Sequence, residues 1–185
     1  KVILSEEESR HISKVLRLEP GTAVELLDGK GAVYSATIIE TGRKTSVCIK
    51  GIVTSAETLH LPLIVKQGVL KGEKMDTVVQ KCTELGVSHM LPFWSSRCQG
   101  KLNEIQKKKK HERWQRIGLA ACKQCLRPTL MQLDTIVTYA DCISADSGEE
   151  KTLRLLFWEE EQETHLRDIP DLGQFQSIEI LLGPE

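Results

Sequence analysis

Four short stretches carry side chains able to do chemistry. Ser95-Ser96-Arg97-Cys98 and Gln124-Cys125-Leu126-Arg127 each set one arginine at the end of a regular element. A guanidinium there can grip a phosphate with paired hydrogen bonds, or stabilise an anion developing on a bound base. Lys71-Gly72-Glu73-Lys74-Met75-Asp76 lies where an apolar strand hands over to a helix. Backbone N–H groups and the helix dipole favour anions at such a junction. Its spacing matches neither the lysine loop of nucleoside triphosphatases nor the dinucleotide-binding glycine pattern, which disfavours a nucleotide phosphate loop. Arg10, Lys14 and Arg17 recur every three or four residues. A helix would put them on one face, either for phosphates or simply solvated.

Two strand exits add polar groups. Trp158-Glu159-Glu160-Glu161-Gln162-Glu163 follows one apolar run, and Leu181-Leu182-Gly183-Pro184-Glu185 ends another. Carboxylates in the first can accept from ribose hydroxyls, although such runs are commonly solvated loops. Cys122-Lys123-Gln124-Cys125 is the one close cysteine pair among six cysteines. A zinc knuckle needs a second pair, and a redox pair opens a helix rather than ending one. The thiols are read as half-buried groups in a reducing, cytoplasmic compartment. His60, His89, His111 and His165 have no partners at ligand spacing, and no nucleophile elbow or Ser/His/Asp set is visible. No metal is expected.

The elements that must position these groups are legible in outline. Ser5 followed three residues later by Glu8 is a capping box, and Ile12, Val15 and Leu16 then share a helical face. Ala23–Leu27, Ala32–Glu40 and Thr45–Val53 are β-like runs separated by glycine-containing turns, which predicts a small antiparallel sheet or barrel. Residues 54–58 are small and polar, the best linker. Beyond it, apolar runs at 59–65, 87–94, 153–158 and 177–182 alternate with helical patterns at 72–85 and 103–126. Strands buried on both faces and alternating with helices predict an α/β domain with a largely parallel sheet.

Net charge is −1, yet charge is unevenly spread. Residues 1–65 carry eight basic and eight acidic side chains, residues 66–127 fourteen against five, and residues 128–185 three against thirteen. The basic middle suits a polyanion, unless the acidic third folds back to neutralise it. No window is apolar enough to span a membrane, and no secretory signal is visible. The chain lacks an initiator Met and stops abruptly at Gly183-Pro184-Glu185, so a fragment is expected.

Taken in order, the motifs resemble the bacterial 16S ribosomal RNA uridine-N3 methyltransferases, within the SPOUT superfamily. The resemblance is carried by His11–Leu18, Leu27–Gly31, Lys71–Met75, Gln80–Val87, Arg97-Cys98, Arg113–Ile117, Cys122–Cys125 with Arg127, and Leu182–Glu185. It implies a PUA-like β-barrel over residues 1–57 that grips RNA. Over residues 58–185 it implies a trefoil-knotted, Rossmann-like methyltransferase domain that binds S-adenosylmethionine. A homodimer is implied, acting on one uridine of 16S rRNA in the small ribosomal subunit. Arg97 and Arg127 are the expected catalytic cations, with Glu84 as a buried orienting carboxylate. Trp158, Glu159, Leu182, Gly183, Pro184 and Glu185 are the expected cofactor contacts. Arg10, Lys14, Arg17, Lys71, Lys74 and Gln124 are the expected RNA contacts. Two departures stand out. Leu126 replaces the family's usual glycine, which puts the placement of Arg127 in doubt. The family also continues past Gly183-Pro184-Glu185 with a knot-closing tail, so a complete cofactor site is not expected in these residues alone. A non-catalytic RNA-binding protein of ribosome assembly would share the basic middle but bind no cofactor. A metabolic α/β enzyme would bind no RNA.

Overall fold

The computed structural model describes residues 1–55, 61–98, 100–144, 151–169 and 171–184. The chain divides into two compact units, Lys1–Thr58 and Leu59–Glu185.

The first unit is an antiparallel sheet with one helix. Strand β1 (Val2–Ile3) leads to helix α1 (Glu6–Arg10), which runs on as a π-helical turn (His11–Leu16). Strands β2 (Ala23–Leu27), β3 (Ala32–Glu40) and β4 (Ser46–Ser55) follow, in the spatial order β1-β4-β3-β2. Ser5 caps α1 by accepting from the Glu8 amide at 3.2 Å, and three glutamates in the first turn complement the helix dipole. The Asp28 carboxylate accepts from the amides of Lys30 (2.7 Å) and Ala32 (3.0 Å) and so shapes the β2–β3 turn. The Lys30 amide bond is the main reason its pKa lies below the ordinary value.

Two expectations are corrected here. β1 and β2 stand at opposite ends of the sheet and do not pair, so among the described residues the expected barrel is an open sheet. Ile12 is buried with Ala36, Ile38 and Val47, but Val15 and Leu16 are exposed. The physical reason is the π turn. Its i→i+5 bonding changes the angular step that a 3.6-residue period assumes, and turns both side chains off the core face. Residues 56–58 of the expected linker, and His60, lie outside the described residues.

The second unit is a parallel sheet. Its elements are β5 (Leu63–Gly68), α2 (Lys74–Glu84), β6 (His89–Trp94), α3 (Glu104–Cys125), β7 (Gln132–Leu133), β8 (Val137–Thr138), α4 (Tyr139–Ser144), β9 (Thr152–Phe157) and β10 (Ser177–Leu182). The order is β7-β6-β5-β10-β9, with β8 also beside β6. Asn103 and Gln106 form a reciprocal capping box at the start of α3. The α2 and α3 face buries Val65, Met75, Val79, Met90 and Trp114. The Trp114 indole donates to Asp76 at 3.1 Å, which satisfies its one polar atom and ties the two helices together. The opposite face buries Leu91, Phe93 and Cys142. It also buries the ion pair Lys66–Glu179, 2.8 Å apart, with side chains 6% and 9% exposed.

The chain runs outward from β5 through β6 to β7 and β8, then crosses to place β9 and β10 on the other side. The reversal falls between β5 and β10, whose ends approach closely. A Cβ on Gly68 would lie 2.7 Å from the Pro184 nitrogen and 2.9 Å from the Gly183 carbonyl carbon. Only glycine fits there.

Helix α3 ends at Leu126, held left-handed at φ 56° and largely exposed. This is the position at which helices favour glycine, so the departure at residue 126 costs backbone energy rather than packing. Arg127 then donates to the carbonyls of Thr83 (2.8 Å) and Val87 (2.7 Å), strapping the end of α2 to the approach of β6.

Gly68→Ala should destabilise by about 1–3 kcal/mol through overpacking. Gly118→Ala, whose Cβ would meet only Thr83 Oγ1 at 3.6 Å, should stabilise α3 by about 0.5–1 kcal/mol. Urea unfolding of both variants checks the contrast. Leu126→Gly should gain about 1 kcal/mol by relieving the left-handed strain. Arg127→Met should cost about 2–3 kcal/mol by leaving two carbonyls without their charged donor. The midpoints of the same denaturation curves decide both.

Candidate functional site

At the carboxyl ends of β5, β9 and β10 lies a cavity of about 630 Å³. Open parallel sheets bind ligands at this place, outside the strand ends where the order reverses. Gln67 and Leu70 bound it from the β5 side, and Arg97 reaches it from the β6–α3 connection. Phe157, Trp158 and Glu159 line the β9 exit, and Leu182, Gly183 and Pro184 the β10 exit.

Each side is held by local structure. The Gln67 amide nitrogen donates to the Gly68 and Gly183 carbonyls, both at 2.9 Å, and so staples the two strand ends. Gln67 is buried, and among the described residues no group donates to its carbonyl oxygen, which leaves an acceptor on the cavity wall. Arg97 rides on a tight turn. The Cys98 amide donates to the Ser95 carbonyl at 3.1 Å, the Arg97 amide donates to Ser95 Oγ at 3.3 Å, and the buried Cys98 anchors the loop. Past β9, the Glu161 carboxylate accepts from the amides of Thr164 (2.8 Å) and Glu163 (2.9 Å). These bonds, that of Thr164 foremost, lower its pKa.

A second cavity of about 270 Å³ adjoins the first and shares Arg97, Gly183 and Pro184 with it. Phe93 and Tyr139 line it, with ring centroids 5.4 Å apart and planes tilted by 50°. Ser95, Ser96, Leu156 and Leu181 complete the wall. Arg97 therefore stands between two hollows.

The structure brings together Arg97, Trp158, Glu159, Leu182, Gly183 and Pro184 from the expected set; Glu185 lies outside the described residues. Lys71 and Lys74 are exposed on the β5–α2 connection. Arg10 and Lys14 line a groove of the first unit together with Arg43. Arg17 leaves the helix in a left-handed conformation, φ 52°, rather than continuing its face. Gln124 is exposed on the last turn of α3, about 30 Å by helix rise from its start.

Arg127 is a correction. Its guanidinium is spent on the Thr83 and Val87 carbonyls, at the amino end of β6. That is about 20 Å of strand away from the cavity edge. Glu84 is likewise no buried orienting group: it bonds Lys81 and Gln80 along its own helix. Burial pushes the Cys122 thiol above its ordinary pKa, against a reactive Cys122–Cys125 pair. Among the described residues no cluster of three or more potential ligands is placed to hold a metal ion. No helix among them is long and apolar enough to cross a membrane. Reading the sequence missed Gln67 and Gly68. The one signal was the polar Lys66-Gln67-Gly68 break in an apolar strand.

Known proteins share both the sequence pattern and this geometry. Residues 57–185 match the model of an RNA methyltransferase domain, and residues 4–50 that of an RNA methyltransferase PUA domain. The chain is 30% identical over 126 residues to ribosomal RNA small subunit methyltransferase E of Buchnera aphidicola, covering 67% of this chain and 49% of that protein. It is 30% identical over 155 residues to the protein of that name from Synechocystis, covering 84% and 49%. The chain thus spans about half the length of these curated relatives. A crystal structure of ribosomal RNA small subunit methyltransferase E from Neisseria gonorrhoeae, bound to S-adenosyl methionine, superposes with a TM-score of 0.87 at 28% identity. The match covers 99% of this chain and 74% of that one. A Legionella pneumophila protein described as a methyltransferase, in complex with SAM, gives 0.86 at 29% identity over 100% and 74%. With a family model matched along more than half its length, and the matching PUA domain ahead of it, the chain belongs to the RNA methyltransferase family.

Proposed function

We propose that the protein is an S-adenosylmethionine-dependent methyltransferase that methylates N3 of a uridine in 16S rRNA of the small ribosomal subunit. The observation that carries this reading is the convergence of Arg97 with Trp158, Glu159 and the Gly183-Pro184 exit at the reversal of the sheet. The donor set suits the cofactor. Trp158 offers a ring face, and Leu70, Phe157 and Leu182 offer apolar walls. Glu159 and the open Gln67 oxygen offer acceptors for hydroxyl or ammonium groups. When bound, S-adenosylmethionine supplies an electrophilic methyl group whose sulfur leaves as a neutral thioether.

The work left to the chain is positioning. The Phe93–Tyr139 hollow receives the uracil ring, and its aromatic walls offset the cost of taking a base out of its stack. Arg97, between the two hollows, stabilises the negative charge that spreads over the uracil carbonyls as the N3 proton leaves. The methyl–sulfur bond breaks as the N3–methyl bond forms, with the N3 proton passing to solvent. Catalysis then rests on alignment and on one preorganised cation.

The finer architecture follows the same reading. Residues 1–57 act as a PUA-like RNA grip, and 58–185 as the knotted methyltransferase domain. The protein works as a cytoplasmic homodimer. Arg10, Lys14, Lys71 and Lys74 contact rRNA.

Titration calorimetry of S-adenosylmethionine into the protein should show saturable binding, weakened about tenfold by Trp158→Ala through loss of base stacking. Absence of binding by the unaltered protein would favour the non-catalytic assembly factor. Arg97→Ala should lower kcat about 10²–10³-fold in a methyl-transfer assay on small ribosomal subunits, with the thermal unfolding midpoint in place. Turnover near that of the unaltered protein would remove Arg97 from the reaction.

A further inference from the structure

The carboxyl edge of the parallel sheet is split by charge. Three connections leave it next to the cavity. Those after β5 and β6 carry Lys71, Lys74, Arg97 and Lys101, and the opening turns of α3 add Lys107 to Lys110. With the opening turn of α2 and up to residue 110 of α3 they hold three carboxylates, Glu73, Asp76 and Glu104, and Asp76 is engaged by Arg113 and Trp114. The connection after β9 is the reverse: residues 158–163 hold four glutamates and no basic side chain. Arg97 and Glu159 line the same cavity, so the boundary between the two fields runs through the site.

Five lysines on the β5–β6 side are not consumed by the fold. Lys107 pairs with Glu104 at 2.8 Å, and Lys110 lies over the Trp114 ring. Lys71, Lys74, Lys101, Lys108 and Lys109 are exposed, with no carboxylate at ion-pair distance among the described residues. Lys108 and Lys109 sit within about 8 Å of the start of α3, the helix into which the connection carrying Arg97 leads. The amino ends of α2 and α3 point to the same edge and add their positive dipole ends. Four adjacent lysines in one helical turn repel one another, so helix stability does not account for them. Among the described residues, no carboxylate of the acidic third lies at ion-pair distance from these five either. Lys66–Glu179 joins the two regions, but it is buried inside the sheet.

We infer that Lys71, Lys74, Lys101, Lys108 and Lys109 form a phosphate-binding rim, which leads an RNA strand to the site across β5 and β6. The glutamates beyond β9 keep phosphates off the opposite side. The inference rests on the reading of the protein as an RNA-modifying enzyme and adds the side from which RNA enters. Base identity plays no part in such contacts, so the rim sets orientation and affinity rather than sequence choice.

Fluorescence anisotropy with a labelled single-stranded oligouridylate of about 20 nucleotides, read over a series of salt concentrations, tests it. Each phosphate contact on a single strand contributes about 0.7 to the slope of log affinity against log salt. Lys108→Ala combined with Lys109→Ala should make the slope shallower by about 1.4 and weaken binding about tenfold at ~0.15 M salt. S-adenosylmethionine affinity should be unchanged, which shows that the variant is folded. Glu160→Gln combined with Glu163→Gln should not weaken RNA binding. A slope and affinity unaltered by the lysine substitutions would assign the rim to an acidic protein surface or to solvent, and overturn the proposal while leaving the enzyme reading intact. Salt-insensitive or absent RNA binding by the unaltered protein would overturn both.

Discussion

Everything around the candidate site hangs on the seam between β5 and β10. The Gln67 amide bridges the Gly68 and Gly183 carbonyls, and the missing side chain of Gly68 lets Pro184 lie against the strand. A parallel sheet whose order reverses leaves a crevice where the two halves part. Here that crevice has a floor of backbone held by one side-chain amide. The β10 exit forms a wall of both hollows, so a shift at the seam would move both relative to Arg97.

Beneath the seam, the buried pair Lys66–Glu179 fixes which residues meet there. Lys66 is paired in register with Leu181 and Glu179 with Ile64, so the two charges reach each other diagonally across one face. A slip of the strands would part them inside an apolar layer, and an unpaired buried charge costs several kcal/mol. Replacing both by apolar residues would remove that penalty and with it the discrimination between registers. Two residues further along β5, Gly68 must sit opposite Gly183-Pro184 for the seam to close. The ion pair is therefore tied to the accuracy of the site as well as to the core.

The legible part of this structure was the part with periodic signals. Glycine-bounded β-like runs mark β2 and β3, and apolar runs mark β6, β9 and β10, all close to where those strands lie. The long helix starts at its Asn103 cap and ends within a residue of the expected place. What escaped has no local signature. Gln67 meets Gly183, a partner 116 residues away, and the pairing order of strands is invisible in spacing. Arg127 looked catalytic because a terminal arginine is chemically versatile. Its acceptors are backbone carbonyls, and every residue has one. The π turn defeated the helical period at Val15 and Leu16 for a similar reason: the change of hydrogen-bond step lies in the backbone. The strand-exit residues Trp158, Glu159, Gly183 and Pro184 were individually weak, and only their order along the chain marked them.

The reversal of strand order also determines how charge can be arranged. Connections from strands on one side of the switch point lead away from those on the other, so each side of the crevice can carry its own sign without internal neutralisation. β5 and β6 send out lysines and the positive ends of α2 and α3, while β9 sends out glutamates, among them Glu161, whose carboxylate accepts from two backbone amides. Two ligands of opposite charge can then meet without competing for one surface: a polyanion over the cationic side and a cationic small molecule toward the acidic side. The overall charge of −1 hides this, because the two fields cancel in the sum while remaining separate in space. Under the proposed methyl transfer, a nucleophile on a polyanion meets an electrophile on a cation across that separation, with Arg97 at the boundary.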